Sequence, residues 1–190
     1  MSYKARDWVK EGVYHITNRG NRRSDIFKDE EDFQYFINLI CEGLEFFGDE
    51  NIKLIAYCLM DNHVHLLIKF DDTSPGDFIG KITGLYTRYF NKKNNYVGHL
   101  FQGRYHLEEI NNDAGLLEVC RYIHMNPVRA SMVDFPSEYK WSNYNQFIGE
   151  DEEVFTNSEI ALKYFLHKYR FEMYKDYVER VVLKEKVEEL

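Results

Sequence analysis

His63 and His65 are the two residues whose types and spacing most directly suggest chemistry. They lie in the apolar run 59–70 and are separated only by Val64. In a β-strand, residues two apart point to the same face, so the two imidazoles project together while the apolar residues fill the other face. Such a pair can bind one divalent metal ion, or it can be two ordinary polar side chains on a solvated sheet face.

Tyr122 and Asn126 add further chemistry about sixty residues downstream. They are four apart, so they share one face if they lie on a helix. If that helix crosses the face that carries His63 and His65, the Tyr122 hydroxyl can reach a metal held there. Asn126 can then supply an amide oxygen as a third ligand, which leaves positions for a substrate phosphate oxygen and water. A ligand set without thiolate favours Mg²⁺ or Mn²⁺ for phosphate chemistry and is also compatible with Zn²⁺.

The role of Tyr122 has two interpretations from its residue type. The chain has 15 tyrosines, most of which are expected to be packing residues. A phenol has an ordinary pKa of about 10, so a nucleophilic tyrosine needs a metal, a metal-bound water or a base to lose its proton. Attack by Tyr122 on phosphorus would give a phosphotyrosine that conserves the bond energy for rejoining. Attack by a metal-activated water would give plain hydrolysis instead.

Length and composition predict a globular protein with a substantial core. The 190 residues, 44% apolar and 16% aromatic, suggest one domain at 1–150 followed by a helical extension at 151–190. No apolar run is long enough to cross a bilayer, and the first residues do not form a secretory signal. The isolated Cys41, Cys58 and Cys120 are typical of buried thiols in a reducing compartment. We therefore expect a cytoplasmic protein without a membrane partner.

A net charge of −8 argues against a protein that binds DNA through its overall charge. It leaves room for a local basic groove, because phosphate affinity depends on where the cations lie. Six arginines near the candidate chemistry are possible DNA contacts: Arg19, Arg22, Arg23, Arg88, Arg104 and Arg129. The turn 18–23, which carries three of them, is either a solvated loop or a phosphate-contacting one.

Apolar periodicity predicts the elements that must position these residues. Strands are expected at 12–18, 52–60, 63–70 and 107–110, with helices at 29–47 and 78–93. The order βαββαβ is the split, ferredoxin-like arrangement of an α+β fold, with two helices on one face of the sheet and the other face open. Alternation places His63 and His65 on the open face.

The second half of the chain is predicted to be mainly helical. A third helix is expected at 113–125 and to end at Asn126-Pro127, because the residue before a proline disfavours the α conformation. An aromatic loop at 136–144 is expected to pack onto the domain. The tail at 158–190 carries an amphipathic stripe that can dock on the domain or pair with a partner helix. Its aromatic character favours docking.

Several segments together resemble one known family. They are 14–21 (YHITNRGN), 60–66 (MDNHVHL), 98–105 (GHLFQGRY), 121–129 (RYIHMNPVR) and 141–144 (WSNY). In this order and spacing the chain resembles the REP-associated tyrosine transposases, members of the single-tyrosine transposases in the HUH single-strand endonuclease superfamily. The resemblance spans most of the chain between residues 14 and 144.

The resemblance implies a metal-dependent transposase or endonuclease that cleaves and rejoins single-stranded DNA. His63 and His65 would bind Mg²⁺ or Mn²⁺, with Asn126 as the third ligand. Tyr122 would be the nucleophile that bonds to a DNA 5′ phosphate and releases a 3′ hydroxyl. The partner would be single-stranded or hairpin DNA, and the protein a nucleoid-associated monomer or homodimer. The acidic balance favours an alternative, a domesticated protein that binds hairpin DNA or RNA with little or no cleavage.

Overall fold

A four-stranded antiparallel sheet organises the computed structural model, which describes residues 7–152 and 154–188. Its strands are Gly12–Arg19 (β1), Ile52–Met60 (β2), His63–Phe70 (β3) and His106–Ile110 (β4). The spatial order is β2-β3-β1-β4, and every neighbouring pair is antiparallel. This order, with one helix after β1 and one after β3, confirms the predicted split βαββαβ fold.

Two long helices pack against each other over one face of the sheet, called here the first face. They are Glu30–Phe47 (α1) and Pro75–Asn94 (α2). Asp29 and Ser74 cap their N-termini, each accepting a hydrogen bond from the backbone N–H three residues on. The core beneath them is apolar and aromatic. Its buried residues include Phe36, Ile40, Val64, Leu66, Ile68, Phe70, Phe78 and Ile82.

A β-bulge in β2 changes which of its residues face each side of the sheet. The pairing of β2 with β3 shifts register between Leu54 and Ala56. Leu54 and Tyr57 therefore both belong to the first-face core, although they are three positions apart and strict alternation would place them on opposite faces. Ala56 and Cys58 belong to a second core on the other face. The strand is consequently buried along almost its whole length.

The second face, predicted to be open, is open only in part. Four helices lie on this side: Asp113–Arg129 (α3), Tyr144–Phe147 (α4), Glu159–Leu162 (α5) and Arg170–Glu188 (α6). Of these, α3 contacts β2 and β3 directly. The core between them and the sheet includes Ile55, Met60, Leu67, Cys120, Ile123, Phe147, Tyr174 and Val178.

The predicted end of α3 at Asn126-Pro127 is wrong, because the helix continues through Pro127 to Arg129. Proline lacks an N–H, so the carbonyl of Ile123, four residues earlier, loses its usual backbone donor. The Asn126 side chain supplies one instead, since its Nδ2 donates to the carbonyl oxygens of Ile123 at 3.3 Å and Tyr122 at 3.0 Å. The helix therefore tolerates a proline in its last turn.

The C-terminal tail docks on the domain, as its aromatic stripe predicts, but not as one helix. A 3₁₀ turn at His167–Tyr169 separates α5 from α6. Tyr174 and Val178 are fully buried in the second-face core, whereas Tyr164 and His167 of the predicted stripe are exposed. Side chains beyond residue 180 and the last two residues lie outside the described part. The domain boundary at 150/151 stays a prediction.

The three cysteines are free thiols, with Cys58 and Cys120 buried and Cys41 half-buried. Within the described residues, no helix combines the length and apolar character that a membrane span requires. The aromatic loop at 136–144 packs on the domain as predicted. The Trp141 ring stacks on Phe33 with centroids 4.7 Å apart, and the Tyr139 hydroxyl donates to the Leu59 carbonyl oxygen at 2.8 Å.

Candidate active site

His63 and His65 lie side by side on the second face of the sheet, as alternation predicts. Their ring centroids are 4.8 Å apart and the rings are nearly perpendicular. His65 is buried, with 5% of its surface exposed, and His63 is half-buried. Across the β1–β3 pair, Thr17 lies opposite His65 and Arg19 lies opposite His63. The end of β1 thus forms the neighbouring wall of the site.

His15 on β1 is a third histidine of the site, and it was missed from the sequence. Its Nε2 lies 3.1 Å from His65 Nδ1, and the two rings are nearly parallel with centroids 5.3 Å apart. Glu108, directly opposite His15 on β4, places an oxygen 3.8 Å from His15 Nδ1. The sequence pattern could have placed His15 on this face, because His15 alternates with the apolar Tyr14 and Ile16, and the split fold sets β1 beside β3.

Burial keeps these histidines neutral at neutral pH. Desolvation, aided by the nearby Arg19 charge, lowers the pKa of His63 to about 4. Desolvation, aided by His63, His15 and Arg19, lowers the pKa of His65 to about 2. Burial also lowers the pKa of His15, partly offset by Glu108. Each ring therefore keeps one nitrogen lone pair, which is the form that binds metals.

Tyr122 reaches the histidines from α3, which crosses this part of the second face. Its ring centroid lies 5.5 Å from that of His65 and 5.9 Å from that of His15, with both contacts edge-on. Tyr122 is 38% exposed, so it is not enclosed in the core. The Arg129 guanidinium carbon lies 5.1 Å from the Tyr122 ring centroid. The structure thus brings the candidate nucleophile, the histidine pair and one predicted arginine together.

A cavity of about 640 Å³ joins these groups. Its lining residues are His15, Thr17, Asn18, Arg19, His63, His65, Gln102, Glu108, Glu118, Val119 and Tyr122. Asn126 does not line it, and its amide nitrogen is bonded to the two helix carbonyls described above. The role of Asn126 as a third metal ligand therefore stays a prediction.

Glu118 brings a carboxylate to the cavity one helical turn before Tyr122. Arg121 Nη2 donates to both of its oxygens at 2.6 and 2.7 Å, and the Tyr177 hydroxyl donates to Oε2 at 3.2 Å. The hydrogen bond from Arg121 holds the pKa of Glu118 below its ordinary value. The carboxylate is therefore ionised and fixed in position. Glu118 was missed because one partner, Tyr177, comes from the distant α6.

Gln102 enters the cavity on a loop that is tied to the end of β1. Its backbone N–H donates to the Arg19 carbonyl oxygen at 2.8 Å, and Asn21 N donates to the Leu100 carbonyl oxygen at 2.7 Å. Gly20 forms a bridge with Phe101. This loop lies within the segment 98–105 whose motif pointed to the family, so the motif has a positioning role here.

The six predicted DNA-contacting arginines separate into two groups. Arg19 lines the cavity, and the exposed Arg22 and Arg23 follow it in a turn with left-handed φ values of 55° and 62°. Arg129 lies beside Tyr122, as described above. The structure does not bring Arg88 and Arg104 to the site. The exposed Arg88 lies on α2, over the first face, and Arg104 lines a separate cavity with Trp8 and Tyr105.

The histidine pair is suited to bind a metal ion. Within the part of the chain that the structure describes, no group of three or more His, Cys, Asp and Glu side chains could hold one. His65 Nε2 is nevertheless buried without a hydrogen-bond partner among the described residues. His63 Nδ1 lies 2.6 Å from the Asn62 side-chain oxygen, which can only accept, so the lone pair of His63 is on Nε2. Two imidazole nitrogens thus fit a divalent ion whose other ligands come from elsewhere.

Comparison with known proteins gives consistent results over most of the chain. Residues 9–126 match the sequence family described as Transposase IS200 like. The chain is 24% identical over 160 residues to a Haemophilus influenzae protein that carries the name REP-associated tyrosine transposase, covering 77% of this chain and 87% of that one. It also resembles a solved structure of a REP-associated tyrosine transposase bound to a REP hairpin. That match has a TM-score of 0.63 and 18% identity, and covers 83% of this chain and 94% of the other.

Proposed function

Because this chain belongs to the IS200-like transposase family, we propose that it cleaves and rejoins single-stranded DNA through a covalent bond between Tyr122 and a 5′ phosphate. One observation carries the proposal: an accessible tyrosine on a helix lies over two neutral histidines, with ring centroids 5.5 Å apart for Tyr122 and His65. All these residues lie within the stretch that matches the family. Transposition or a related rearrangement of DNA is the expected outcome.

His63 and His65 would hold Mg²⁺ or Mn²⁺ through their Nε2 atoms. When bound, the ion would withdraw charge from the scissile phosphate and favour loss of a proton near the nucleophile. Asn126 would join as the third ligand if its amide turned away from the helix carbonyls it now bonds. Otherwise substrate phosphate oxygens and water would complete the coordination.

The chemical step exchanges one phosphate ester for another. Tyr122 Oη attacks phosphorus in line, the bond from phosphorus to the 3′ oxygen breaks, and that oxygen takes a proton to become a free 3′ hydroxyl. The Tyr122 proton leaves to solvent or a bound base. In the reverse reaction, a 3′ hydroxyl attacks the phosphotyrosine and regenerates Tyr122. The number of phosphate ester bonds is conserved, so no nucleotide cofactor is needed.

Cations around the cavity support a DNA substrate despite the net charge of −8. Arg19 lines the cavity, Arg22 and Arg23 are exposed in the adjoining turn, and Arg129 lies beside Tyr122. These four arginines would contact phosphate groups locally. Binding through such contacts weakens as the salt concentration rises. A similar solved protein is bound to a REP hairpin. We therefore propose single strands that flank a short hairpin as the substrate.

A denaturing-gel assay for a protein–DNA adduct tests the proposal. Labelled hairpin-flanked single strands from the DNA beside this gene are incubated with protein and Mn²⁺ or Mg²⁺. We expect a slow band with the wild type that is absent without metal and absent in Tyr122→Phe. The matched control is Tyr169→Phe, which removes the hydroxyl of another exposed tyrosine, 49% accessible, on the C-terminal segment.

The other outcomes separate the alternatives. Hairpin binding without any adduct in any metal would overturn the proposal and support a protein that recognises hairpins without cleaving them. Cleavage that persists in Tyr122→Phe would support hydrolysis by an activated water.

A further inference from the structure

A row of three polar side chains crosses three neighbouring strands beneath the candidate nucleophile. Glu108 on β4 lies opposite His15 on β1, and His15 is the diagonal neighbour of His65 on β3. The His15 Nε2 to His65 Nδ1 distance is 3.1 Å, and the Glu108 Oε2 to His15 Nδ1 distance is 3.8 Å. Only Glu108 of the three is exposed, so the two imidazoles must satisfy each other.

Hydrogen-bond roles in this row are limited by the chemistry of neutral imidazole. Each ring has one N–H and one lone pair, so one ring donates and the other accepts. If His15 Nε2–H donated, the His15 Nδ1 lone pair would face the Glu108 carboxylate. His65 would then carry its proton on Nε2, which is buried without a partner among the described residues. This assignment would therefore place a lone pair against a carboxylate and also leave a buried N–H without an acceptor, and both are unfavourable.

The opposite assignment removes both problems. His65 Nδ1–H donates to His15 Nε2, and the remaining His15 proton, on Nδ1, faces the Glu108 carboxylate. At 3.8 Å this contact is longer than a hydrogen bond but still electrostatically favourable. His65 Nε2 then carries the lone pair, in a residue that lines the same cavity as Tyr122. The Glu108 charge thereby selects the form of a ring two strands away.

We propose that His15, oriented by Glu108, is a positioning residue that fixes His65 in the Nδ1–H tautomer and holds its Nε2 lone pair ready for a divalent metal. The inference rests on the proposed role of His65 as a metal ligand. It assigns His15 no contact with the metal, because its own Nε2 is occupied by His65. Histidine ligands commonly donate their second ring nitrogen to such a partner, and losing it costs about 10–100-fold in metal affinity.

The first test observes the tautomer directly and needs neither metal nor DNA. Long-range ¹H–¹⁵N correlation spectra of ¹⁵N-labelled protein distinguish protonated from unprotonated ring nitrogens. We expect wild-type His65 to carry its proton on Nδ1. His15→Leu removes the acceptor and should give a mixture or the Nε2–H form. His15→Gln restores an acceptor oxygen at a similar reach and should keep the Nδ1–H form.

A second pair of variants isolates the carboxylate. Glu108→Gln removes the charge that faces His15 and should weaken the tautomer preference. Glu109→Gln is the matched control, because Glu109, the next residue on β4, lies opposite Tyr14 rather than His15. Both changes preserve side-chain size and lie at exposed positions on β4, so they keep the test available even if His15→Leu fails to fold.

Mn²⁺ affinity measured by calorimetry gives the functional outcome. We expect His15→Leu to bind Mn²⁺ about 10–100-fold more weakly, with His15→Gln and Glu109→Gln close to wild type. Equal affinity and an unchanged His65 tautomer in His15→Leu would overturn the inference while leaving the proposed function standing. A wild type with the expected tautomer but no Mn²⁺ binding would support the positioning role and overturn the metal role on which the proposed function depends.

Discussion

The two faces of the sheet bury different kinds of side chains. Under α1 and α2, the first face is filled mainly by aromatic and aliphatic residues such as Phe36 and Phe78, which pack without needing specific partners. Its buried charge, Asp32, pairs with Lys93 between the two helices. Under α3, the second face also buries His15, His65, His124 and Asn143. A buried polar group is tolerated only with the correct partner, so each one restricts geometry as well as contributing to stability. We infer that packing on the first face mainly stabilises the fold, whereas the polar contacts on the second face also orient α3, the helix that carries Tyr122.

His124 shows how the second face fixes α3. It is fully buried two residues after Tyr122, with Nδ1 2.7 Å from the Tyr174 hydroxyl and Nε2 3.1 Å from Asn143 Oδ1. Asn143 Oδ1 also accepts from Tyr57 N at 2.8 Å, and its Nδ2 donates to the Ile55 carbonyl oxygen at 3.0 Å. One network therefore ties α3, α6 and the β2 bulge together.

Phe36→Ala should give the largest loss of stability and leave the chemistry intact. Phe36 is 1% exposed and packs edge-on against Phe27 and Tyr86. Truncation leaves a cavity and should lower the free energy of unfolding by about 3–5 kcal/mol in urea titrations. At temperatures where the variant remains folded, adduct formation through Tyr122 should be unchanged. A loss of adduct in the folded variant would contradict the claim that first-face packing affects stability but not the chemistry at Tyr122.

Acid should destabilise the protein through the second face. Burial lowers the pKa of His124 from 6.5 to about 4, and its polar neighbours are Tyr174 and Asn143. The unfolded chain therefore binds the proton at higher pH than the folded protein does. The stabilisation is complete above pH 6.5 and is lost as the pH falls towards 4, by about 3 kcal/mol in all.

The difference between wild type and His124→Gln isolates this contribution from that of the other histidines. We expect the free energy of unfolding of wild type to fall more steeply across this pH range than that of the variant. Parallel pH dependences would show that His124 is not a neutral buried group in the native state.

Asn143→Ala should cost less in stability than Phe36→Ala but should also slow the chemistry. It leaves the Tyr57 N–H, the Ile55 carbonyl and the His124 Nε2–H without their partner. At about 1 kcal/mol for each group, the lower end of the usual cost, we expect a loss of about 3 kcal/mol. Because α3 loses this hydrogen-bonded link to β2, adduct formation should also slow in the folded variant. Asn145→Ala is the control, since among the described residues the Asn145 side chain makes one hydrogen bond, at 3.2 Å, to the Ser137 carbonyl oxygen. Equal effects of the two changes on adduct formation would contradict the positioning role.

Lys175→Gln should have the smallest effect. It removes an exposed ion pair in which Lys175 Nζ lies 3.4 Å from Glu150. Such pairs contribute less than about 1 kcal/mol, and we expect a change in unfolding free energy near the lower end of that range. A larger loss would mean that surface charge, rather than the buried Tyr174–His124 contact, holds α6 to the domain.

Elements specified by local patterns were predicted well from the sequence. The bounds of β2 and β3, and the shared face of His63 and His65, follow from alternation within one hairpin. The end of α3 was predicted wrongly, because the rule that proline stops a helix considers only the backbone. Here the Asn126 side chain replaces the missing donor, a contact that the rule does not include.

The rest of the site depends on pairings between distant segments. Glu108 meets His15 only through the β1–β4 register, and Tyr177 meets Glu118 only after α6 docks. Residues separated by about sixty to ninety positions cannot be matched by spacing, since the pairing depends on how the intervening segments fold. The alternation of Tyr14, His15 and Ile16 does indicate on which face of the sheet His15 lies, so this site residue could have been predicted from the sequence.

Identification of the residue that bonds to DNA tests the central proposal most directly. Wild-type protein is trapped with a hairpin-flanked single strand and Mn²⁺, digested with trypsin and nuclease, and the modified peptide is sequenced by mass spectrometry. We expect a nucleotide 5′ phosphate on Tyr122 and on no other residue. A phosphate on another of the 15 tyrosines, or cut DNA with no modified peptide, would contradict the assignment of Tyr122 as the nucleophile.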